Sequence, residues 1–455
     1  MNDNTTFRID SEFFRKCFID FYKRNLDVKP LSDYISNGYR VVYENTKVLD
    51  KDYAIKHNCP MFLQATDIAT PFINIDDISY VDEQDWIRYP KGRVEKGELL
   101  IEVKGKIEKV AIVPDDFPEK VLITGSLYKM KLNDKINKFY LVTYLTSKYG
   151  LAFKERYKSN LLISFLNKED LYRMPIPLLS DILQLFIEKV YKNAIVLHNE
   201  SLTKFADAES NLLKRVCLSN WKVNKKNTSE KSYSCAKKSD RLDAEYYLLK
   251  YDELFEHLAK YKTKRLGDIV SVTKSVEPGS EAYQNTGVPF VRVANLSKFG
   301  LLDTDIYLDK IEFASVVRPQ KNTILLSKDG SVGIAYKIEE YSDIITSGAI
   351  LHLEVIDEEV LPDYLTLVLN SIIVKMQAER DAGGSIIQHW KPSEIENVVI
   401  PILDKEVQIQ ITEKVQESFA LRKESKRLLE LAKTAVEVAI EQGEDKAMEL
   451  LTQNM

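Results

Sequence analysis

Cysteine and histidine are scarce in this chain of 455 residues, with four and five respectively. Cys17, Cys59, Cys217 and Cys235 form no CxxC pair, and no histidine lies near enough in sequence to complete a zinc pattern. The thiols read as buried or free in a reducing compartment, with no metal site. No apolar run approaches the roughly 18 residues that a membrane span needs. The opening Met1-Asn2-Asp3-Asn4-Thr5-Thr6 is polar and has no signal-peptide core, so the expected location is cytoplasmic. The catalytic signatures are missing too. There is no GxxxxGK[ST] phosphate loop, no glycine-rich dinucleotide or S-adenosylmethionine fingerprint after a strand, and no GxSxG. The Asn/Asp-Pro-Pro-aromatic tetrapeptide with which amino-methyltransferases hold a target amine is also absent. A uniformly basic coat for nucleic acid is excluded by a net charge of −5, although local basic surfaces stay open.

What is present is a duplication. Arg8-Ile9-Asp10-Ser11-Glu12-Phe13-Phe14 returns as Arg241-Leu242-Asp243-Ala244-Glu245-Tyr246-Tyr247. In the same order, Leu31–Ser36 matches Leu266–Ser271, and Pro60-Met61-Phe62 matches Pro289-Phe290-Val291. Ile123-Thr124-Gly125 matches Thr346-Ser347-Gly348, and Met174–Pro177 matches Val398–Pro401. The offset drifts from 235 residues at Leu31 to 224 at Met174, too long for a solenoid repeat. With 44% hydrophobic and 29% charged residues, each copy has the means to build its own core.

Each copy opens with a short helical pattern, seen in Ala244, Tyr247, Leu248, Tyr251, Leu254, Phe255 and Leu258. A strand-rich body follows, with alternating runs at Pro289–Leu296 and Ala349–Val355 and a β-branched run at Thr323–Ser327. One helix is expected from about Pro362 to Arg380, stopping near Gly383-Gly384. Each copy closes with an apolar strand, a proline and a long amphipathic helix. These helices are expected at about 180–213 and 404–442. In the first, Ile182, Leu185, Phe186, Val190, Leu197 and Phe205 are apolar, while Lys189, Asn193 and Arg422 interrupt the stripes. About 34 residues span about 50 Å, more than one small body needs, so the two helices are expected to pair as a coiled coil. Between Lys214 and Arg241 stand nine Lys/Arg against Glu230 and Asp240, which reads as a flexible, solvated linker. The resulting boundaries are 1–178 and 240–403 for the bodies and 179–213 and 404–442 for the helices. The linker takes 214–239 and a tail 443–455.

The loops differ while the core segments repeat. Val103-Lys104-Gly105-Lys106 stands against Asp329-Gly330-Ser331-Val332, and Asn160–Phe165 against Gly384–His389. Lys, Arg, Asn, Gln and His reach base edges and phosphates, so a common scaffold with two sets of polar loops fits a reader of two targets. The candidate DNA contacts are Lys328, Asp329, Ser331, Arg292, Asn295, Gln388, His389 and Lys391 in the second copy, with Gln64, Lys104 and Lys106 in the first. A magnesium nuclease is the competing reading, from Glu102-Val103-Lys104 with Asp82 and Asp85 upstream. Against it, the equivalent of Glu102 in the second copy is read as Lys328. A non-catalytic coiled-coil scaffold binding proteins is the third reading.

Over nearly all its length the chain resembles the specificity subunit of type I restriction–modification systems, with the matching motifs in its second copy. The residues that carry the resemblance are Arg241–Tyr247, Arg265–Ile269, Val288–Leu296, Ser327-Lys328-Asp329-Gly330-Ser331-Val332-Gly333, Gly384–Gln388, Ile400-Pro401, Gln408 and Ile411. The first copy departs from it, lacking the Asp-Gly-Ser-x-Gly loop and the Gly-Ser before the closing strand. The resemblance implies an α+β fold: a tandem duplication of a strand-rich target-recognition domain, each followed by a long helix, with the two helices paired antiparallel as a spacer. It implies a non-catalytic subunit that reads a bipartite, asymmetric site in double-stranded DNA. Two modification subunits would bring S-adenosylmethionine and methylate adenine N6, and a motor–nuclease subunit would bring ATP and Mg; this chain would bind no cofactor itself.

Overall fold

A computed structural model of the chain describes residues 11, 13–24, 26–43, 46–159, 164–226, 228–383 and 388–454. Arg8–Asp10 and Glu12 of the opening repeat, Asn160–Ile163 and Gly384–Ile387 lie outside the described residues. Met1–Leu197 with Lys423–Met455 form one compact unit, and His198–Arg422 form the other. Each unit holds one copy's body and half of each long helix.

Both bodies are built alike. In the first, an antiparallel sheet runs in the order Ile35–Tyr39, Leu127–Leu132, Leu99–Glu102, Val110–Ile112. In the second it runs Val270–Lys274, Ile350–Val355, Ile324–Ser327, Ala335–Lys337. A smaller sheet pairs Met61–Leu63 parallel to Val121–Ile123, as Val288–Val291 pairs parallel to Ile345–Thr346. Leu99-Leu100-Ile101 and Ile324-Leu325-Leu326 are apolar without alternation because both faces of these strands are covered. Leu99 and Ile101 enter a core with Tyr140 and Phe153, while Leu100 enters another with Leu63 and Ile123. Ile324 and Leu326 are likewise divided from Leu325. Each such side chain contributes about 1.5–3 kcal/mol by leaving water.

The helix expected from Pro362 to Arg380 is two helices, Pro362–Asn370 and Ile372–Asp381, broken at Ser371. The first copy breaks identically at Ser147. Each serine hydroxyl donates to the carbonyl three residues back, at 2.6 Å to Tyr144 and 2.7 Å to Val368, and so competes with the helix ladder. A buried glutamine then ties body to long helix in both copies. Gln184 accepts the Asn137 N–H at 2.9 Å and donates to the Leu179 carbonyl at 2.8 Å. Gln408 does the same with Leu361 and Leu403, at 3.0 and 2.8 Å.

The long helices are Asp181–Arg215 and Lys405–Gln442. Within the first unit, Leu183, Ile187, Val190 and Ala194 pack with Leu428, Ala432, Ala435 and Ala439, and Ser425 donates to the Ala194 carbonyl at 2.7 Å. Within the second, Phe205, Ala208 and Leu212 share a core with Ile411 and Val415, and Ser418 donates to the Ser201 carbonyl at 2.6 Å. Earlier residues of one helix meet later residues of the other, so the pairing is antiparallel. The seam steps by four and three through Leu183, Ile187, Val190 and Ala194, which turns Ile182 and Leu185 outward. Arg422 interrupts the stripe because its guanidinium lies 3.9 Å above the Phe299 ring on the Leu296–Leu301 hairpin.

The ends of the long helices are closed by the opening helices, Lys16–Lys23 and Leu249–Leu258. Just after the first, Arg24 donates to the Ile440 carbonyl at 3.0 Å, and His257 of the second contacts the Val216 carbonyl at 2.6 Å. The segment expected as a free linker is partly built in. Val216 and Leu218 are buried with Tyr251 and Leu254, and Tyr233–Ser239 is helical. The tail folds as a helix, Glu444–Asn454, after Gly443 in the left-handed region, and buries Ala447 and Leu451. Among the described residues, no helix is long and apolar enough to cross a membrane.

Candidate nucleic-acid interface

The buried strand of the second copy ends at Ser327 and releases the chain into Lys328–Gly333. Ser327 organises this loop from beneath, donating to the Ser331 carbonyl at 2.6 Å and accepting the Ile334 N–H at 2.9 Å. Gly330 and Gly333 have φ of 73° and 82°, left-handed values that a side chain rarely adopts. A second segment is laced across the loop: Gly330 donates to the Gln388 carbonyl, Trp390 to that of Lys328, and Asp329 bridges His389. The buried Trp390 anchors that segment. Asp329 is the electrostatic centre. Burial opposes its charge, but the Lys328 ammonium and His389 Nδ1, the latter at 2.8 Å from Asp329 Oδ1, outweigh burial and hold the carboxyl below its ordinary range.

Lys328, Asp329, Ser331, Gln388 and His389 therefore come together. Gln388 and His389 are exposed, while Lys328 is half-buried on Asp329. Lys391 lies at the start of the Pro392–Glu396 helix, its N–H on Glu394 at 3.0 Å and its ammonium 3.5 Å from that carboxylate. Arg292 and Asn295 reach the same edge by another route. Ser347 donates to the Val291 carbonyl and Lys328 to that of Ala349, so the 347–349 turn joins the ends of the two strands. Asn295 is committed locally, accepting the Arg292 N–H at 3.1 Å and donating to the Asp303 carbonyl at 2.9 Å.

The first copy reaches the same path with other residues. Gly105, at φ 113°, donates to the Ser164 carbonyl, Leu166 donates to that of Val103, and Lys104 bridges Phe165. Lys104 and Lys106 are exposed. Gln64 donates to Ser79 Oγ at 3.1 Å. Beneath the loop, Glu102 accepts the Glu108 N–H at 3.1 Å and that of Lys109 at 3.4 Å. Lys154, almost wholly buried, donates to the Glu108 carbonyl at 2.9 Å, and burial pulls its pKa down to about 7.

These bonds correct the sequence register. Glu102 stands where Ser327 stands, not Lys328, and Lys104 stands at Asp329. Met61 likewise falls on Pro289, since Leu63 pairs with Ile123 as Val291 pairs with Thr346. Glu102 is thus a loop organiser, and Asp82 caps the Glu83–Arg88 helix by accepting the Gln84 N–H at 2.8 Å. Among the described residues, no three His, Cys, Asp or Glu side chains are placed to hold a metal ion.

Residues 259–431 match the family described as the type I restriction modification DNA specificity domain. The second copy and part of the helix after it therefore carry a segment similar to that domain. The matched segment contains all eight candidates of the second copy. Solved structures similar to the chain include the type I restriction–modification S subunit from M. genitalium, at 13% identity, covering 94% of this chain and 96% of that one, with a TM-score of 0.39. A specificity subunit from Thermoanaerobacter tengcongensis is 14% identical, with 91% and 96% covered and a TM-score of 0.28. A chain from a study of complex assembly and conformational transition in the type I system is 13% identical, with 91% and 97% covered and a TM-score of 0.29. No curated protein matches the chain in sequence.

Two basic residues, one in each body, escaped the sequence reading. Arg40 follows Ile35–Tyr39, and its Nε donates to the Gly125 carbonyl at 2.7 Å. Its counterpart is Lys274, which lies against the Gly348 turn. A bulge opposite Lys131 and Leu132 adds a residue to the first copy's strand and shifts the offset by one, which hides the match between two basic residues.

Proposed function

We propose that the chain carries the address of a type I restriction–modification complex, each copy reading one half of a bipartite, asymmetric DNA site. One observation carries this reading. The same loop path is built twice, and its outward residues differ: Lys104-Gly105-Lys106 in one copy and Asp329-Gly330-Ser331 in the other. A scaffold held constant under variable polar side chains suits direct readout, in which base edges are told apart by donors and acceptors. In the second copy, exposed Gln388 is assigned to a base edge. Lys328, already sharing its charge with Asp329, is assigned to a phosphate. Two modification subunits would supply S-adenosylmethionine and methylate adenine N6, and motor–nuclease subunits would supply ATP and Mg chemistry; none of these cofactors is assigned to this chain.

The test is an exchange of residues 240–403 for those of a relative with a different methylation motif. The motif methylated by the assembled complex should change in one half only. A change in both halves, or in neither, would reject one body per half-site.

A further inference from the structure

One basic side chain of the first copy is held in place from two sides. Arg40 is gripped twice: its Nε donates to the Gly125 carbonyl at 2.7 Å, and its guanidinium lies 4.4 Å from the centre of the Phe165 ring. These contacts set both the plane and the direction of the group. Among the described residues nothing holds its terminal amino groups. What remains is the two terminal amino groups, whose four N–H donors include a parallel pair, one on each nitrogen, in a fixed fork.

The location matters as much as the geometry. The Gly125 turn is tied to the end of the Met61–Leu63 strand, because Thr124 donates to the Leu63 carbonyl at 2.8 Å. Phe165, beneath the guanidinium, bridges Lys104. Arg40 therefore stands where the segments carrying Gln64, Lys104 and Lys106 converge. Gly125 permits this approach, since a Cβ there would lie 2.9 Å from the Val41 carbonyl oxygen. We propose that Arg40 is the residue with which the first copy reads a guanine in the major groove.

The chemistry selects guanine over a phosphate. Guanine offers O6 and N7 as two acceptors in one plane, which a rigid fork matches bidentately. Phosphate can accept such a fork as well. Exposed Lys104 and Lys106, compact charges on flexible stems, suit the backbone better than a guanidinium immobilised on a ring. In the second copy, Lys274 replaces the fork with a point charge beside Glu277 at the Gly348 turn, so the two copies would not read the same base there.

This inference rests on the reading of the chain as a DNA-specificity subunit. The probes are duplexes carrying the sequence that the wild-type complex methylates, each with one base pair replaced, bound to the full chain with its modification subunits across a salt series. Arg40→Ala should weaken cognate binding about tenfold to a hundredfold and erase the preference for G·C at one position of the first half-site. Preference within the second half-site should be unchanged, which also reports that the chain is folded. Arg40→Lys should erase the same preference while leaving the salt slope in place. A first half-site without a G·C pair overturns the proposal. So does equal weakening of all duplexes with the salt slope lowered by about one, the signature of a phosphate contact. Unchanged discrimination in Arg40→Ala, or loss of both half-site preferences together, overturns it as well. A wild-type complex with no sequence preference would overturn the functional reading and this inference with it.

Discussion

The two copies follow one backbone path over opposite interiors. Beneath its loop the second copy places the Ser327 hydroxyl, with Ala378 at the place of Lys154. The first copy uses a buried carboxylate, Glu102, and a buried amine, Lys154. The contrast recurs in the main sheet. Lys129 and Glu98 form an ion pair at 2.8 Å with both side chains buried. In the second copy His352 stands in that register and meets Thr346 at 2.8 Å, held neutral by burial. Isolated buried charges cost several kcal/mol and are kept only where partners satisfy them. The fold therefore tolerates charged or neutral supports, provided the loop's N–H and C=O groups find partners. Outward residues are then free to differ.

This contrast is broken most sharply at Glu98. Glu98→Ala leaves the Lys129 ammonium with the Arg93 carbonyl, at 2.6 Å, as its remaining partner and should destabilise the first unit by about 3–5 kcal/mol. Urea unfolding followed by hydrogen exchange would measure it, and a loss below about 1 kcal/mol would mean the pair is solvated. Next in size is an acid sensitivity of the second unit. Burial lowers the His352 pKa to about 4, so the folded form stays neutral where the unfolded chain takes up a proton. Its stabilising share is complete above about pH 6.5 and is lost toward pH 4 at about 1.4 kcal/mol per unit. His352→Gln should remove that share; melting curves between pH 4 and 7 that match the wild type would contradict the assignment. The smallest effects belong to the loop surface. Gln388→Ala should cost about 1–3 kcal/mol of discrimination between cognate and mismatched duplexes, whereas Lys328→Ala should weaken both and reduce the salt slope by about one. If neither variant alters binding, the 328–391 edge does not face DNA.

The duplication, the alternating strands and the long helices were legible because each rests on a periodicity that side-chain burial imposes. The register was not. Glu102 falls on Lys328 in sequence because the Leu99-Leu100 pair lines up with Leu325-Leu326, and only the strand and bridge pairings place it on Ser327. Arg40 was missed because one bulged residue displaces it from Lys274. The breaks at Ser147 and Ser371 were hidden because a serine inside an apolar run reads as helix until its hydroxyl turns to the backbone. The candidates of the second copy formed a group because the Asp-Gly-Ser-x-Gly loop and the Gln388–Lys391 segment are each short-range features. What joins them, Trp390 to Lys328 and Gly330 to Gln388, spans about 60 residues and leaves no local trace.

The distribution of the long helices between the units has a consequence for the order in which the chain matures. The second unit is continuous, His198–Arg422, and its last residue leaves the ribosome before the first unit has all its parts. The first unit waits for Lys423–Met455, because Leu183, Ile187 and Val190 have their seam partners in Leu428, Ala432 and Ala435, and Arg24 has its acceptor in Ile440. Domains usually close from the amino end as synthesis proceeds at about 5–20 residues per second. Here the amino-terminal body is made first and completed last, so it spends the synthesis of some 225 residues, roughly 10–45 s at that rate, with an unpaired apolar helix face.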